Sequence, residues 1–582
     1  MILKYLRKID IALILFSIAL VAFQTYLDLE IPGYMRNITD TLVSGGTVED
    51  VLGEGWKMMA CALGSLLTAI IVGYIAAYIA SSLSRTVRKK EFDRVQQFSV
   101  EEINKFSISS LITRSTNDVT QVQMAFAMGM QVLIKAPMMA IWAMTKIADK
   151  NMEWTAATGC AVFALLMVIG VTMGFTIPRF RKIQWINDQV NDLTKENLTG
   201  LRVVHAYNAE QYQEDKFKGA NKDLTDTHLA ITRALAFMGP MMSAIMGMLS
   251  LAIYWLGALI VNGGDTPQAR IDSFTDMIVF SSYAMQIVMA FLMLVIVFMI
   301  VPRAMVAARR IEEVIDTEPS ITDGTVTESE GQEGEISFRN VGFRYPDASD
   351  YVLKDISFEV KKGETVAFIG STGSGKSTVI NLIPRFFDVT EGSVEVDGID
   401  VRDYTLEALH KKIGYVPQKA TIFNGTVSSN VNYGDSSDER TEEDVKKAVA
   451  IAQGTDFVER MSGQYEGSIS ENGRNLSGGQ KQRISIARAV CRRPEIYIFD
   501  DSFSALDYKT DRILRHALRT ETAGITTLIV AQRIGTIMDA DRIIVLDEGR
   551  IVGMGKHDEL LKNCPVYLDI ARSQLSEEEL VR

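Results

Sequence analysis

The chain has 582 residues, more than one hydrophobic core normally organises. Its formal net charge of −12 argues against a general nucleic-acid binder, whose partner is a polyanion. Its four scattered cysteines, Cys61, Cys160, Cys491 and Cys564, form no CxxC pair and read as free thiols rather than as a disulfide framework or zinc site.

Composition divides the chain. Residues 1–315 are rich in Met, Ala, Ile and Leu, and 24 of the 27 methionines precede residue 318. Six runs in this half approach the roughly 20 apolar residues that a helix needs to cross a bilayer. They are 11–27, 58–83, about 119–148, 154–177, 234–262 and 277–302. The first follows Lys4, Arg7 and Lys8, as a cleaved leader would, but no small-residue cleavage site follows it and further spans come after. The third is broken by Lys135, with Gln131 nearby. Basic clusters precede span one and follow spans two ("RTVRKKEFDR"), four ("RFRK") and six (Arg303, Arg309, Arg310), whereas the segment 28–55 is mostly acidic. By the positive-inside rule, both termini and the long polar connections 84–118 and 178–233 are cytoplasmic, in a multi-pass plasma-membrane protein. Few charges lie within the spans, which argues against a dedicated ion path.

The acidic, Gly-punctuated stretch 316–334 reads as a linker, leaving 335–582 as one soluble domain. In it, "ETVAFIGSTGSGKSTVINLI" is a strand, a Gly-rich loop and a helix. Gly370, Ser371, Thr372, Gly373, Ser374, Gly375, Lys376 and Ser377 fit GxxxxGK[ST], with Thr378 following. Glycines let successive backbone N–H groups face phosphate oxygens, and the helix N-terminus adds partial positive charge. Lys376 suits the β- and γ-phosphates of ATP, and the Ser377 hydroxyl suits Mg²⁺. About a hundred residues on, "LSGGQ" opens another helix. Ser477, Gly478, Gly479 and Gln480 are an ordinary Ser-Gly cap on one reading and a second phosphate site on the other.

With both motifs in hand, the chain resembles the ATP-binding cassette (ABC) exporter half-transporters over nearly its whole length. The resemblance implies an α-helical membrane domain of six spans (1–315) fused to an α/β P-loop cassette (335–582). Within the cassette, Tyr345 of "FRYP" resembles the aromatic that stacks on adenine, and Gln418 of "GYVPQ" the glutamine that touches Mg²⁺. Asp500, at the end of "IYIFD", resembles the acid that organises Mg²⁺ and its water. Glu471 lies in the segment matching the cross-communication loop, and Asp507 ends the D-loop-like "SALD". "LITRSTNDV" (111–119), with Arg114 and Asp118, and "ENLTGLRVVHAYNAE" (196–210), with Tyr207, resemble the intracellular segments that dock on cassettes. His205 beside Tyr207 reads as a solvated or packed helix residue.

Two positions depart from the pattern. Asp501 stands where such cassettes usually have the glutamate that polarises the attacking water, and a carboxylate withdrawn by about 1 Å can cost on the order of a hundredfold in rate. Gln532 stands where the family has a histidine, and an amide cannot carry a proton near neutral pH. His410, His516 and His557 lie elsewhere. The expected protein binds ATP at a slow, degenerate site and lends its LSGGQ to a competent site on a second half-transporter chain. A homodimeric exporter using Asp501 and an ATP-gated regulatory or channel-like subunit remain the alternatives. For cargo, the methionine faces 238/242/246 and 285/289/293 fit an adaptable apolar pocket for small amphipathic molecules or lipids, and fit helix packing or lipid contact equally; peptides stay open.

Overall fold

The computed structural model describes residues 2–148, 152–328, 333–346, 348–434 and 440–575. These form two compact units, Met1–Gln96 with Ser109–Thr317 and Gln97–Ile108 with Glu318–Arg582.

The first unit is helical throughout. In chain order its elements, with one from the second unit, are α1 (Lys8–Val43), α2 (Val48–Gln96), α3 (Val100–Phe106), α4 (Ile108–Thr113), a π turn (Arg114–Asp118), α5 (Val119–Ala148), α6 (Met152–Thr199), α7 (Leu201–Ala206), α8 (Glu210–Asn262) and α9 (Pro267–Asp316). Among the described residues, six helices are long and apolar enough to cross a membrane. At about 1.5 Å per residue, the 49 residues of α2 reach more than twice the roughly 30 Å of a bilayer core. Its polar end therefore projects as a rigid continuation of its apolar run. The unit's core joins α6, α8 and α9 through Leu165, Leu249, Ile253, Phe280, Ile287 and Val288, all nearly inaccessible. The rings of Trp154 and Phe280 lie 5.4 Å apart.

Helix α1 continues well past the apolar run 11–27 and takes in residues 28–43, which the charge pattern assigns to an acidic loop. Paired charges explain the extension. Asp28 Oδ2 lies 2.9 Å from Lys135 Nζ of α5, and its other oxygen accepts from the Ser65 hydroxyl of α2. Glu30 lies 3.0 Å from Lys146. An ion pair with its remaining valences satisfied can be held within a helical bundle where a lone charge cannot.

The cassette unit is α/β. A six-stranded sheet runs in the order Arg550–Gly555, Arg542–Asp547, Thr365–Gly370, Thr526–Val530, Ile496–Asp500, Ile413–Val416. All neighbouring pairs are parallel except that of the first two strands. The central strands are buried on both faces, which accounts for unbroken apolar runs such as "IYIF". A four-stranded antiparallel sheet, built on Ile336–Phe343 and its neighbours Leu353–Val360 and Glu391–Val396, carries Phe338 stacked on Phe358.

The stretch read as a linker is tied down where it is described; residues 329–332 of it lie outside the described residues. Gly324 N donates to Tyr404 O, and Thr325 N and Val326 N both donate to Asp403 O. Asp323 accepts from Leu406 N, and Arg385 donates to Thr322 O. A Cβ on residue 324 would sit 2.1 Å from Asp403 O, so this approach requires glycine. Polar composition signals solvent exposure, but not where backbone hydrogen bonds go.

Buried Thr526 joins two turns in the same way: its hydroxyl accepts from Gly363 N and donates to Gly334 O. Thr526→Val strands both groups, so the full chain in detergent should lose about 1–3 kcal/mol in cassette stability. Thr526→Ser should keep most of it; thermal unfolding of the three proteins is the measurement.

Candidate functional site

Strand register assembles the site. Val530 pairs with Asp500 on one side and Phe368 on the other, so three parallel strands end together. The loop 370–375, Asp500 with Asp501, and Gln532 therefore emerge at one carboxyl edge, where α/β sheets bind ligands.

The Gly370–Ser377 loop turns into the helix Lys376–Leu382 through Gly375, at φ 95°. A side chain there would meet Leu353 at 2.6 Å. Lys376 Nζ curls over the loop and donates to Gly370 O (3.0 Å) and Ser371 O (2.7 Å). Burial pushes its pKa down, against the upward pull of Asp501 and Asp500. The Ser377 hydroxyl donates to Asp500 Oδ1 at 2.8 Å. This hydroxyl and carboxylate are hard oxygen donors at the start of a phosphate-binding helix, a set that fits Mg²⁺ completed by phosphate oxygens and water. Among the described residues there is no group of three or more His, Cys, Asp or Glu side chains suited to a metal.

Asp501 follows in a left-handed conformation, φ 45°, which aspartate tolerates better than most residues. One of its oxygens, Oδ2, accepts from Gln418 Nε2 at 3.2 Å and from Gln532 Nε2 at 2.9 Å. The two glutamines and the aspartate thus meet. Burial raises the pKa of both acids; Ser377 opposes it at Asp500, and Gln418 and Ser504 oppose it at Asp501. A small cleft lined by Asp501, Ser504, Gln532, Arg533 and Thr536 opens beside them.

Around these residues lie partners that motifs do not reveal. Gln574, of the helix Pro565–Gln574, donates to Gln532 O and accepts from Ile534 N, fixing the backbone that aims Gln532. Tyr415 donates to Asn381 Oδ1. Gln574 is more than forty residues from Gln532 in sequence and belongs to no motif, so only the tertiary fold identifies it. Tyr345 stands edge-on to Phe343 and Phe387, and its hydroxyl is 3.1 Å from that of Thr378.

Ser477 caps the helix Gly478–Cys491: its hydroxyl accepts from Gln480 N, while Gln480 Oε1 accepts from Ser477 N. Ser477 and Gly478 are exposed, and among the described residues no hydrogen bond joins this turn to the 370–377 loop or the two aspartates. Glu471 is exposed in a short turn, and Asp507 caps the helix Tyr508–Glu521 by accepting from Thr510 N. Tyr207 ends α7 and is 80% exposed, an unusual position for a large aromatic; His205 pairs with Glu210, also in the open. His410 faces Pro384 O and His557 the Tyr567 hydroxyl, away from the aspartates.

Arg114 and Asp118 are in the helical unit. Arg114 donates to Glu313 Oε2 and Arg310 O of α9, and Asp118 lies 3.4 Å from Arg310. Of the connection between α2 and α5, the portion grouped with the cassette is Gln97–Ile108, twelve residues that precede "LITRSTNDV". Within that unit, Glu102 accepts from Ser320 N and caps α3 through Ser99, and Phe98 stacks on Phe106.

A phosphate loop, a hard-oxygen pair and a separate LSGGQ turn on this sheet define a nucleotide-binding domain of the cassette class, here joined to six membrane helices. Comparison with known proteins agrees. Residues 353–504 match the ABC transporter family and residues 14–291 match the ABC transporter transmembrane region. The chain is 37% identical to an ABC transporter ATP-binding protein of Mycobacterium tuberculosis, covering 94% of each. It is 33% identical to an ATP-dependent lipid A-core flippase of Pseudomonas fluorescens, covering 89% of this chain and 83% of that one. Its fold is similar to the solved structure of a bacterial Atm1-family ABC exporter with ATP bound, with a TM-score of 0.81 at 24% identity, covering 97% and 99% of the two chains. The chain belongs to the ABC transporter family, as a multi-pass membrane half-transporter with the exporter fold, and the nucleotide-binding domain of this family binds ATP.

The two raised acids carry a pH signature. A carboxyl whose pKa is higher folded than unfolded costs stability as pH rises from the ordinary carboxylate range through the folded value. Without nucleotide, wild-type protein should therefore lose thermal stability relative to Asp501→Asn as pH rises above the ordinary carboxylate range near about 4. A parallel pair of unfolding-midpoint profiles would contradict this.

Proposed function

We propose that this chain is one half of a two-chain, ATP-driven exporter, binding Mg²⁺-ATP at a slow site of its own and supplying LSGGQ to the hydrolytic site of a different half-transporter. The observation that carries this reading is the Gln418–Asp501–Gln532 contact. The Asp501 carboxylate, next to the acid that meets Ser377, already accepts two amide donors through one oxygen. The residue opposite it, Gln532, offers N–H groups but no proton to relay. The binding parts are intact: Gly370–Ser377 and Thr378 for phosphates, Tyr345 for the adenine face, and Lys376 for the β- and γ-phosphates. Mg²⁺, held by Ser377 and Asp500 with Gln418 near, would neutralise phosphate charge. The remaining roles belong to this chain's side chains. Lys376 must leave Gly370 O and Ser371 O to meet phosphate, and Asp501 would take a water proton while both glutamines stay on its Oδ2.

The separation of LSGGQ from the loop within one chain supports a two-chain arrangement, in which Ser477, Gly478, Gly479 and Gln480 face the partner's nucleotide. Glu471 and Asp507 would lie along that junction. The basic clusters support a plasma-membrane orientation with both termini and the cassette in the cytoplasm. Exposed Tyr207 suits docking on a cassette, as does Gln97–Ile108; Arg114 and Asp118 act one step away, by seating the π turn on α9. For cargo, amphipathic or lipid-like molecules are favoured by the methionine-rich helices and by relatives that are lipid A-core flippases.

The retained carboxylate of Asp501 favours the homodimeric alternative, and turnover decides between the two. In the co-purified pair, Gly479→Asp should abolish ATP hydrolysis, because it sets a carboxylate against the partner's γ-phosphate. Asp501→Asn should leave much of it, and Asp501→Glu with Gln532→His should raise hydrolysis at this chain's site. Rapid turnover by a verified homodimer, or equal damage from Asp501→Asn and Gly479→Asp, would overturn the reading. Tyr207→Ala, which removes a large exposed aromatic from this docking segment, should lower transport per ATP hydrolysed with nucleotide affinity unchanged.

A further inference from the structure

Beyond its uncharged run 58–83, α2 carries a carboxylate where its packing face calls for an apolar residue. Leu83, Val87 and Glu91 are spaced four apart, on one face, and all three are buried. Leu83 and Val87 pack with Val119, Ile311 and Ile315 in a dry cluster between α2, α5 and α9. Glu91 is wholly inaccessible, and neither of its oxygens meets a donor in hydrogen-bonding geometry.

The charged groups around it are accounted for. From the π turn, Arg114 and Asp118 act on it, and Ser115 lies alongside with its hydroxyl donating to Leu111 O. Arg114 donates to Glu313 Oε2, Arg310 O and Ser110 Oγ. From α9, Arg310 lies 3.4 Å from buried Asp118. Lys4, in the turn Ile2–Tyr5, pairs with Asp316. On α2 itself, Lys90 lies over the Tyr5 ring and Arg94 donates to Ile315 O. Asp118 and Glu313 each have an arginine within ion-pair distance, whereas Glu91 has none.

We propose that Glu91 is a proton-binding site that governs how α2 seats on the π turn 114–118. With the proton bound, the buried carboxyl is uncharged and the helices close over it. Without it, one unpaired buried charge remains, and the joint must open to water or shift toward Arg114 to solvate it. Burial holds the Glu91 carboxyl up, to about 7, so occupancy changes near neutral pH. The π turn is a suitable moving part, because its wider winding is a local departure from the α-helical ladder on either side. Five residues after Glu91 the helix ends and Gln97–Ile108 begins, so a change in the seating of α2 reaches the segment that belongs with the cassette.

The test uses the full chain in lipid nanodiscs, as wild type, Glu91→Gln and Glu91→Leu. The infrared carbonyl band of a protonated carboxyl, titrated from about pH 5 to about pH 9, should fade in wild type with a midpoint near 7, and that component should be missing from both variants. Because the folded acid titrates above its unfolded value, wild-type stability should fall relative to both variants as pH rises through this range. Both variants mimic the neutral acid and should fold at every pH. A band unchanged by the substitutions, a wild-type-minus-variant unfolding difference that does not vary with pH, or failure of both variants to fold would each overturn the proposal.

Discussion

The register of three parallel strands is the constraint on which the rest of the cassette depends. Val530 is held between Asp500 and Phe368, so the ends of Ile496–Asp500, Thr526–Val530 and Thr365–Gly370 are level. A slip of one residue would turn every side chain to the opposite face, sending Asp500 away from Ser377 and burying its charge among Ile and Phe. The unbroken apolar runs do not set this register alone. The hydrogen bond from Ser377 to Asp500 and that from Asp501 N to Val530 O pin it at the open edge, where function needs accuracy.

At that edge two adjacent acids divide the work. Asp500 completes a strand and takes a hydroxyl donor, as a residue preparing a cation site would. Asp501 leaves the strand through a left-handed turn and takes two amide donors on one oxygen. Burial raises both. Two neighbouring carboxylates in a half-buried cleft are stable only while cationic or hydrogen-bonding groups face them, and Lys376 acts on both.

The sequence made the membrane half and the cassette legible because their signals are local. A charge-free run such as 58–83 states its own environment, and GSTGSGKS carries the conformation its loop needs. The departures at Asp501 and Gln532 were legible too, as residue types, but their meeting through Gln418 was not, since it joins three strand ends. Position 28–43 misled because its acids suggest solvent, whereas their lysine partners sit more than a hundred residues later. The anchoring of 322–326 was not legible for a related reason: the partners of that backbone, around 403–406, leave no mark on its own composition. Glu91 is invisible amid "RTVRKKEFDR", where one acid among bases looks like an ordinary wet face; only the helix packing reveals that it points inward.

The pairing of Lys135 with Asp28 also bears on how the chain is made. By itself α5 would bring an uncompensated ammonium into the hydrocarbon layer, a cost that disfavours its insertion as a lone helix. The carboxylate that removes the cost belongs to α1, synthesised more than ninety residues earlier, and Ser65 of α2 holds that carboxylate in place. Helix α5 is therefore suited to the bilayer in the company of α1, whose Asp28 meets its lysine, and α2, whose Ser65 meets that aspartate, and not as a span in isolation.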